Sequence, residues 1–183
     1  MPEYRRVQLK GGTYFITIVT YERHPIFWNG ANRQILRMAW VDVAKRFPFK
    51  TVAVCLLPDH IHALVQCPES DADYPTRIRE IKRLFTKEYK QRFGLTIVQN
   101  DSRKGKNEAA IWQRRYWEHT IRDEEDLHRH LDYVHYNPVK HGWVQNVRDW
   151  GWSSFHRYVR MGWYDADLGS ARIEKGFTDD FGE

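Results

Sequence analysis

The sequence has few cysteines and no long apolar run, and each shortage excludes a class of protein. Cys55 and Cys67 are the only cysteines among 183 residues. Two thiols do not make a disulfide framework, so a reducing cytoplasm fits best, with both thiols buried as small apolar groups. The longest apolar runs, 14–19 and 52–57, are far shorter than the roughly 20 residues that span a bilayer. No signal-peptide core follows residues 1–6. We therefore expect a cytoplasmic protein without a membrane segment.

Aromatic and basic residues are abundant. The chain is 42% hydrophobic and 15% aromatic, with eight tryptophans, so it should fold as one domain with a real core. Residues 1–164 contain 27 bases and 18 acids, a net charge of +9, whereas residues 165–183 contain six acids and two bases. A basic body suggests a polyanionic partner, although solubility alone would also explain it. We predict one domain over residues 1–164 and an acidic tail over residues 165–183.

The residue pattern predicts an alternating order of strands and helices. Apolar residues at helical spacing, such as Ile35, Ala39 and Val43, indicate helices, and runs of β-branched and aromatic residues indicate strands. The predicted strands are 13–21, 49–57, 60–66 and 111–121, and the predicted helices are 31–47, 75–93, 123–137 and a short one over 153–161. Pro58-Asp59 makes a hairpin turn, and Pro138 should end the third helix. The order is βαββαβ followed by a helix, an α+β arrangement with a ferredoxin-like antiparallel sheet. The first two helices should share one face, and the third should lie on or beside the other.

His60 and His62 form a candidate metal-binding pair. They are two residues apart in the predicted third strand, where side chains at i and i+2 point to the same face of the sheet. Because imidazole is a common metal ligand, the two could hold one ion from one side. Taken alone, this spacing is more often a coincidence than a ligand pair.

Four polar residues follow one stripe of the predicted third helix, at spacing i, i+4, i+7 and i+11: Asp126, His130, Tyr133 and Asn137. A solvated helix face is the simplest interpretation of such a stripe. Asn137 argues against it because it comes one turn after Tyr133. A phenol nucleophile and an amide ligand on one ridge could both reach a metal held by the histidine pair.

Several short motifs occur in a specific order along the chain. The central ones are Leu57-Pro58-Asp59-His60-Ile61-His62, Asp132-Tyr133 and Asn137-Pro138-Val139-Lys140. Further ones are Glu3-Tyr4-Arg5-Arg6 with Gly11-Gly12, Arg79-Glu80-Ile81-Lys82 with Phe85-Thr86, Trp112-Gln113 with Tyr116-Trp117-Glu118-His119, and Trp152-Ser153-Ser154-Phe155-His156. Each is weak alone, but the ordered set resembles the REP-associated tyrosine transposases. These are relatives of the single-tyrosine, His-hydrophobic-His (HUH) insertion-sequence transposases.

The resemblance implies an HUH endonuclease fold and a mechanism. His60 and His62, with Asn137 as third protein ligand, would hold a divalent ion, Mg²⁺ or Mn²⁺, that polarises the scissile phosphate. His130 shares the ridge and competes with Asn137 for this role. Tyr133 would attack phosphorus and form a 5′-phosphotyrosine link that a 3′-hydroxyl can reverse. The implied substrate is a palindromic repeat folded into a hairpin, with a single-stranded flank.

Basic and aromatic residues outside this chemistry are candidates for DNA contact. A basic ridge on a helix suits phosphates, and arginine beside tryptophan suits unpaired bases. The candidates are Arg5, Arg6 and Lys10 near the N-terminus, Arg79, Lys82, Arg83 and Lys87 on the second helix, Trp112, Arg114, Arg115 and His119 around the fourth strand, and Lys140. Alternative interpretations are a solvated face for the helix, core packing for the aromatics and a structural role for His119.

Two other functions fit parts of the sequence. One is a hairpin-DNA-binding protein that has lost catalysis, against which the intact histidines, Tyr133 and Asn137 argue. The other is a metal-dependent hydrolase without a covalent step, which would survive Tyr133→Phe. Insertion-sequence relatives are dimers that can share active sites, but we expect a monomer rather than a homodimer here. We also hypothesise that the acidic tail occupies the basic groove and restrains cleavage.

Overall fold

The computed structural model describes residues 8–94 and 109–165. Within these ranges the elements are β1 (Thr13–Val19), α1 (Gly30–Arg46), β2 (Lys50–Leu56), β3 (His60–Gln66), α2 (Tyr74–Phe93), β4 (Trp117–Thr120), α3 (Glu124–Lys140) and α4 (Phe155–Arg160). The predicted α+β order is confirmed. The three longer helices each begin after an N-cap residue whose side chain accepts a backbone hydrogen bond. These caps are Asn29, Asp73 and Asp123.

The four strands form one antiparallel sheet in the order β2-β3-β1-β4. This is the strand order of the predicted ferredoxin-like arrangement. In the central pair, Thr17 of β1 lies opposite His62 of β3, and Val19 lies opposite His60. On its other side, His62 is opposite Cys55 of β2. The histidine-bearing strand is therefore internal and is held in register from both sides.

Helices cover both faces of the sheet. One core cluster joins Tyr14 and Ile16 of β1 to residues of α1 and α2. A second cluster joins Phe15 of β1 to Leu131 and Tyr133 of α3. Because neighbouring strand residues point to opposite faces, α3 lies on the face away from α1 and α2. The sheet thus separates the Tyr133 helix from the basic ridge of α2.

The outer edge of β2 is covered by residues 152–154. Trp152 accepts a hydrogen bond from the backbone of Leu56 at 2.9 Å, and Ser154 donates to the carbonyl of Val54 at 2.8 Å. The Ser154 hydroxyl also accepts from the amide of Val54 at 2.9 Å and lies 2.8 Å from Nε2 of His135 on α3. This part of the Trp-Ser-Ser motif therefore protects a strand edge and ties it to α3.

Two elements differ from their predicted bounds by three residues or more at one end. The fourth strand covers 117–120 instead of 111–121, because Trp112 turns into the core against Phe27 and Phe85 and makes only an isolated bridge with Thr20. The third helix continues through Pro138 to Lys140. A proline so close to the helix end removes a single backbone donor and leaves little helix to disrupt.

Some predictions concern residues outside the described ranges. Arg5, Arg6 and, apart from Asp165, the acidic tail belong to this group, so those predictions stay predictions. Among the helices of residues 8–94 and 109–165, none has the length and hydropathy that a membrane span requires.

Candidate functional site

The histidine pair lies on β3 and faces α3. His60 and His62 are 1% and 0% exposed, and their ring centroids are 4.7 Å apart. Their i, i+2 spacing places both side chains on one face of the sheet. The ring of His62 also lies 5.2 Å from that of Tyr133. The two imidazoles are therefore buried together beneath the helix that carries the tyrosine.

Neighbouring side chains hold both imidazoles through Nδ1. Thr17 Oγ1 is 2.9 Å from Nδ1 of His62, and Asp59 Oδ1 is 2.6 Å from Nδ1 of His60. Contacts of this kind orient an imidazole and set Nε2 as its ligating atom. Nε2 of His60 is buried and has no hydrogen-bond partner within the described part of the chain. Because an unsatisfied buried nitrogen is costly, this atom suits a site that receives a ligand.

Asp59 is itself held as a carboxylate. Burial acts to raise its pKa, but the hydrogen bond and charge of His60, and then those of Arg23, outweigh burial and lower the pKa. Arg23 Nη1 lies 3.1 Å from Oδ2 of Asp59. The ionised carboxylate can therefore accept a hydrogen bond from Nδ1 of His60 at neutral pH.

Tyr133 is placed between the histidine pair and a lysine. The phenol is 1% exposed and packs edge-on against Phe15 at 5.7 Å. Nζ of Lys140 lies 3.4 Å from the Tyr133 hydroxyl and 4.9 Å from the ring centroid. A hydroxyl, a cation and the imidazole of His62 thus lie close together, an arrangement that can support nucleophilic attack on a phosphate.

Asn137 belongs to a ridge of α3 that follows the histidine pair. Each member of this ridge comes four residues after the one before, in the order Tyr133, Asn137 and His141, so all three lie on one side of the helix. Tyr133 meets His62 at one end of this ridge, and His141 meets His60 at the other with ring centroids 5.1 Å apart. Asn137, fully buried between them, therefore faces the pair. Two imidazole nitrogens and an amide oxygen make a reasonable donor set for a divalent ion.

His130 is directed toward a different group. Its Nδ1 lies 2.7 Å from the backbone oxygen of Asp126 and 3.2 Å from the Asp126 carboxylate. Its ring stacks on His119 at 4.7 Å and contacts Phe15 at 5.0 Å. Burial lowers the pKa of His130. Although it shares the stripe with Tyr133, His130 packs mainly with His119 and Asp126.

His119, Asp126 and His130 could also hold a metal ion, since their ligand atoms all lie within 4.8 Å of one another. Two arginines share the same carboxylate, with Arg122 at 3.1 Å and Arg129 at 3.6 Å. Burial acts to raise the pKa of Asp126, but hydrogen bonds from His119 and Arg122 outweigh it and keep the pKa well below its ordinary value. The charge of this carboxylate is already balanced, which makes the group less suited to a cation than the histidine pair.

The structure separates the predicted DNA-contact residues into groups. Lys140 and His119 lie on the Tyr133 side of the sheet. The ridge of α2 lies on the opposite side, where Lys82 donates to the carbonyl of Gln113 at 2.8 Å and Arg83 pairs with Glu80 at 2.8 Å. Arg79 and Lys87 are exposed on the same helix, and Lys10, Arg114 and Arg115 are exposed outside the helices and strands.

Trp112 is placed where it cannot stack on a base. Its side chain is 5% exposed and packs against Phe27 and Phe85 in the core. The alternative interpretation of this residue, core packing, is what the structure shows.

Sequence reasoning missed three residues that build the site. Thr17 has no motif of its own and meets His62 only through strand register. Asp59 belongs to the predicted turn and to the histidine motif, but neither pattern predicts its contact with Nδ1 of His60. His141 continues the i, i+4 spacing of Tyr133 and Asn137, but the expectation that Pro138 ends the helix concealed it.

Fold and site together define a ferredoxin-like α+β protein in which a His-x-His strand faces a tyrosine-bearing helix. Residues 8–137 match the family model described as "Transposase IS200 like". A Haemophilus influenzae protein provisionally named a REP-associated tyrosine transposase is 46% identical over 92% of this chain and 94% of its own. The Escherichia coli REP-associated tyrosine transposase is 42% identical over 91% of this chain and 90% of its own.

The solved structure of a REP-associated tyrosine transposase bound to a REP hairpin shares this fold. Its TM-score is 0.76 at 39% sequence identity, and the match covers 93% of this chain and 92% of the other. The chain therefore belongs to the IS200-like transposase family, and its relatives place it among the REP-associated tyrosine transposases.

Proposed function

We propose that this protein cleaves and rejoins single DNA strands beside a hairpin, with Tyr133 as the nucleophile. The observation that carries the proposal is the position of the Tyr133 ring, 5.2 Å from His62, with Nζ of Lys140 3.4 Å from its hydroxyl. Family membership supports the reaction type, since the relatives are named as tyrosine transposases.

His60, His62 and Asn137 are the residues that we assign to a divalent metal ion, Mg²⁺ or Mn²⁺. When bound, such an ion would supply Lewis-acid polarisation of the scissile phosphate. Asn137 is preferred to His130 because the ridge that contains it contacts the histidine pair at both ends, whereas the ring of His130 stacks on that of His119. Thr17 and Asp59 are positioning residues that orient the two imidazoles.

The cleavage step transfers a phosphoryl group to the tyrosine. The Tyr133 oxygen attacks phosphorus and loses its proton to solvent, while the bond from phosphorus to the 3′-oxygen breaks. The 3′-oxygen takes up a proton and leaves as a 3′-hydroxyl, and the 5′-phosphate stays on Tyr133. The ammonium of Lys140 offsets negative charge on the phenolic oxygen. Attack by a 3′-hydroxyl on the phosphotyrosine reverses the step and joins strands without ATP.

The proposed substrate is a palindromic hairpin with a single-stranded flank. The solved relative with 39% identity is bound to a REP hairpin, and the basic charge of residues 1–164 suits a polyanion. We assign Lys140 and His119, on the Tyr133 side of the sheet, to contact with the strand that enters the site. Exposed Arg114 and Arg115 are further candidates for phosphate contact.

The test is a covalent-adduct assay. Hairpin DNA with a labelled single-stranded flank is incubated with the protein and Mn²⁺, and a protein–DNA adduct is sought on a denaturing gel. We expect an adduct with the wild type and none with Tyr133→Phe. Tyr136→Phe removes a hydroxyl from the same helix and should leave the adduct intact. Cleavage that survives Tyr133→Phe would indicate a metal-dependent hydrolase instead. Tight hairpin binding without any cleavage would indicate a catalytically silent DNA-binding protein.

A further inference from the structure

A row of exposed tryptophans begins next to the histidine pair. His141, which contacts His60, is followed two residues later by Trp143, whose amide donates to the carbonyl of Pro138 at 2.9 Å. The Trp143 ring packs edge-on against Trp28 at 5.2 Å. Trp143 and Trp28 are 44% and 52% exposed, so much of each indole faces solvent beside the site.

Arg33 joins Trp28 to a third exposed tryptophan. Its Nη1 donates to the carbonyls of Phe27 and Trp28, at 2.8 and 3.0 Å. Its guanidinium carbon lies 4.0 Å from the centroid of the Trp152 ring, a cation–π contact. Trp152 is 47% exposed. We call Trp143, Trp28 and Trp152 the tryptophan track, and Arg33 is the cation within it.

The track ends at a cavity between α1 and the segment that covers β2. The cavity has a volume of about 440 Å³, and its walls include Trp40, Val54, Trp152 and Arg37. Its size falls in the range of small-molecule sites, and an apolar lining with a few polar groups is typical of them. Arg37 is exposed at this cavity, so a cation stands beside an apolar and aromatic surface.

We infer that the tryptophan track binds single-stranded DNA that continues from the catalytic site. The inference rests on the proposed function for the identity of the strand. Unpaired bases would stack on the exposed indoles, the cavity would receive one base, and Arg33 and Arg37 would meet the phosphates. Stacking of this kind is independent of sequence, so the track would hold the flank while other residues recognise the hairpin.

Continuity and charge favour a nucleic acid over a protein partner. Singly scattered apolar residues are normal on a protein surface, but three exposed tryptophans linked by a ring contact and by Arg33 indicate a binding surface. The first tryptophan of the track follows His141 by two residues, and His141 contacts His60, so a strand that leaves the site would meet the track at Trp143. A purely apolar partner would gain nothing from Arg37, whereas a phosphate backbone would.

The experiment measures binding of a fluorescein-labelled oligothymidylate of about ten nucleotides, a length typical of single-strand sites. The full chain carries Tyr133→Phe, so that no probe is cleaved. Against this background, Trp28→Ala and Trp152→Ala should each weaken binding by about fivefold to a hundredfold. Trp152→Tyr keeps a stacking ring and should restore most of the affinity, whereas Trp152→Leu should not.

Trp163→Ala is the matched control, because Trp163 is 57% exposed and its ring contacts lie at His128 and Tyr158, away from the track. It should bind the probe as the parent does. Unchanged affinity in Trp28→Ala and Trp152→Ala would overturn the inference. So would sedimentation data in which these variants convert a dimer to a monomer, since the track would then be a contact between copies. The adduct assay tests the proposed function separately. If the wild type nicks hairpin DNA but the tryptophan variants bind oligothymidylate normally, only the tryptophan track is refuted. If the variants lose affinity for oligothymidylate but the wild type does not nick, only the proposed function is refuted.

Discussion

Nζ of Lys140 lies 3.4 Å from the hydroxyl oxygen of Tyr133, seven residues earlier on the same helix. The two are brought together because α3 continues through Pro138 for a further two residues. A helix that ended at Asn137 would leave the position of Lys140 undefined. The continued helix therefore places the ammonium beside the proposed nucleophile, and its removal can be tested.

Lys140→Met should slow cleavage without preventing it. The variant keeps most of the side-chain volume and removes the charge that offsets negative charge on the phenolic oxygen, so we expect a single-turnover rate about tenfold to a hundredfold lower. Lys45→Met, an exposed lysine of α1, is the control and should cleave at the parental rate. An equal rate for Lys140→Met and the parent would exclude Lys140 from the reaction.

Thr17→Val should weaken metal binding while the fold is retained. Valine has nearly the shape of threonine but cannot contact Nδ1 of His62, so the imidazole loses the contact that orients it. Loss of such an outer contact typically lowers metal affinity by about tenfold to a hundredfold. Mn²⁺ binding can be followed by titration calorimetry, which does not depend on activity. Thr13→Val makes the same chemical change at the start of β1 and should bind Mn²⁺ as the parent does.

Substitutions at Asn137 and His130 should separate the two candidates for third ligand. Asn137→Ala removes the amide oxygen that we assign to the metal ion, so Mn²⁺ affinity should fall by tenfold or more, by about 1.4 kcal/mol at least. His130→Gln should change Mn²⁺ affinity much less, because His130 packs against Asp126 and His119. The opposite order of effects would assign the third ligand to His130. Circular dichroism of both variants checks that the fold is intact.

Sequence spacing could predict the parts of the site that lie within one element. Strand periodicity places His60 and His62, at i and i+2, on one face of the sheet. Helix periodicity likewise places Tyr133 and Asn137, at i and i+4, on one face of the helix. Thr17 could not be found in this way, because its contact with His62 depends on the register between β1 and β3. The order of elements predicted the ferredoxin-like sheet, since the connections allow few alternatives.

Other features depended on competition between local and tertiary effects. Trp112 stands among basic residues, as a base-stacking residue would, but burial of a large indole against Phe27 and Phe85 is strongly favourable. Pro138 is a helix breaker in most contexts, yet packing of α3 on the sheet carries the helix past it. The charge pattern of α2 also gave no information about which face of the sheet it would cover.

His135 on α3 is buried away from the candidate catalytic residues, and it connects α3 to Ser154 and Tyr164. Burial and, secondly, the charge of Arg157 lower its pKa to about 3. The Ser154 hydroxyl accepts from the amide of Val54, so it can donate to Nε2 of His135 at 2.8 Å. Tyr164 donates to Asp132 at 2.7 Å and can accept from Nδ1 at 3.4 Å. All of these contacts fit a neutral imidazole.

The stability of the protein should therefore decrease as the pH falls below about 6.5. In the unfolded chain His135 has its ordinary pKa and takes up a proton near pH 6.5, whereas in the folded chain it stays neutral down to about pH 3. The unfolded state thus binds more protons across this window. The contribution of His135 to the free energy of unfolding should therefore fall by about 2 kcal/mol between pH 7 and pH 5. His135→Gln should lose stability at pH 7 but show a flatter pH dependence of the urea midpoint, whereas exposed His128→Gln should keep the parental slope. Equal slopes for the parent and His135→Gln would show that His135 is not the titrating group.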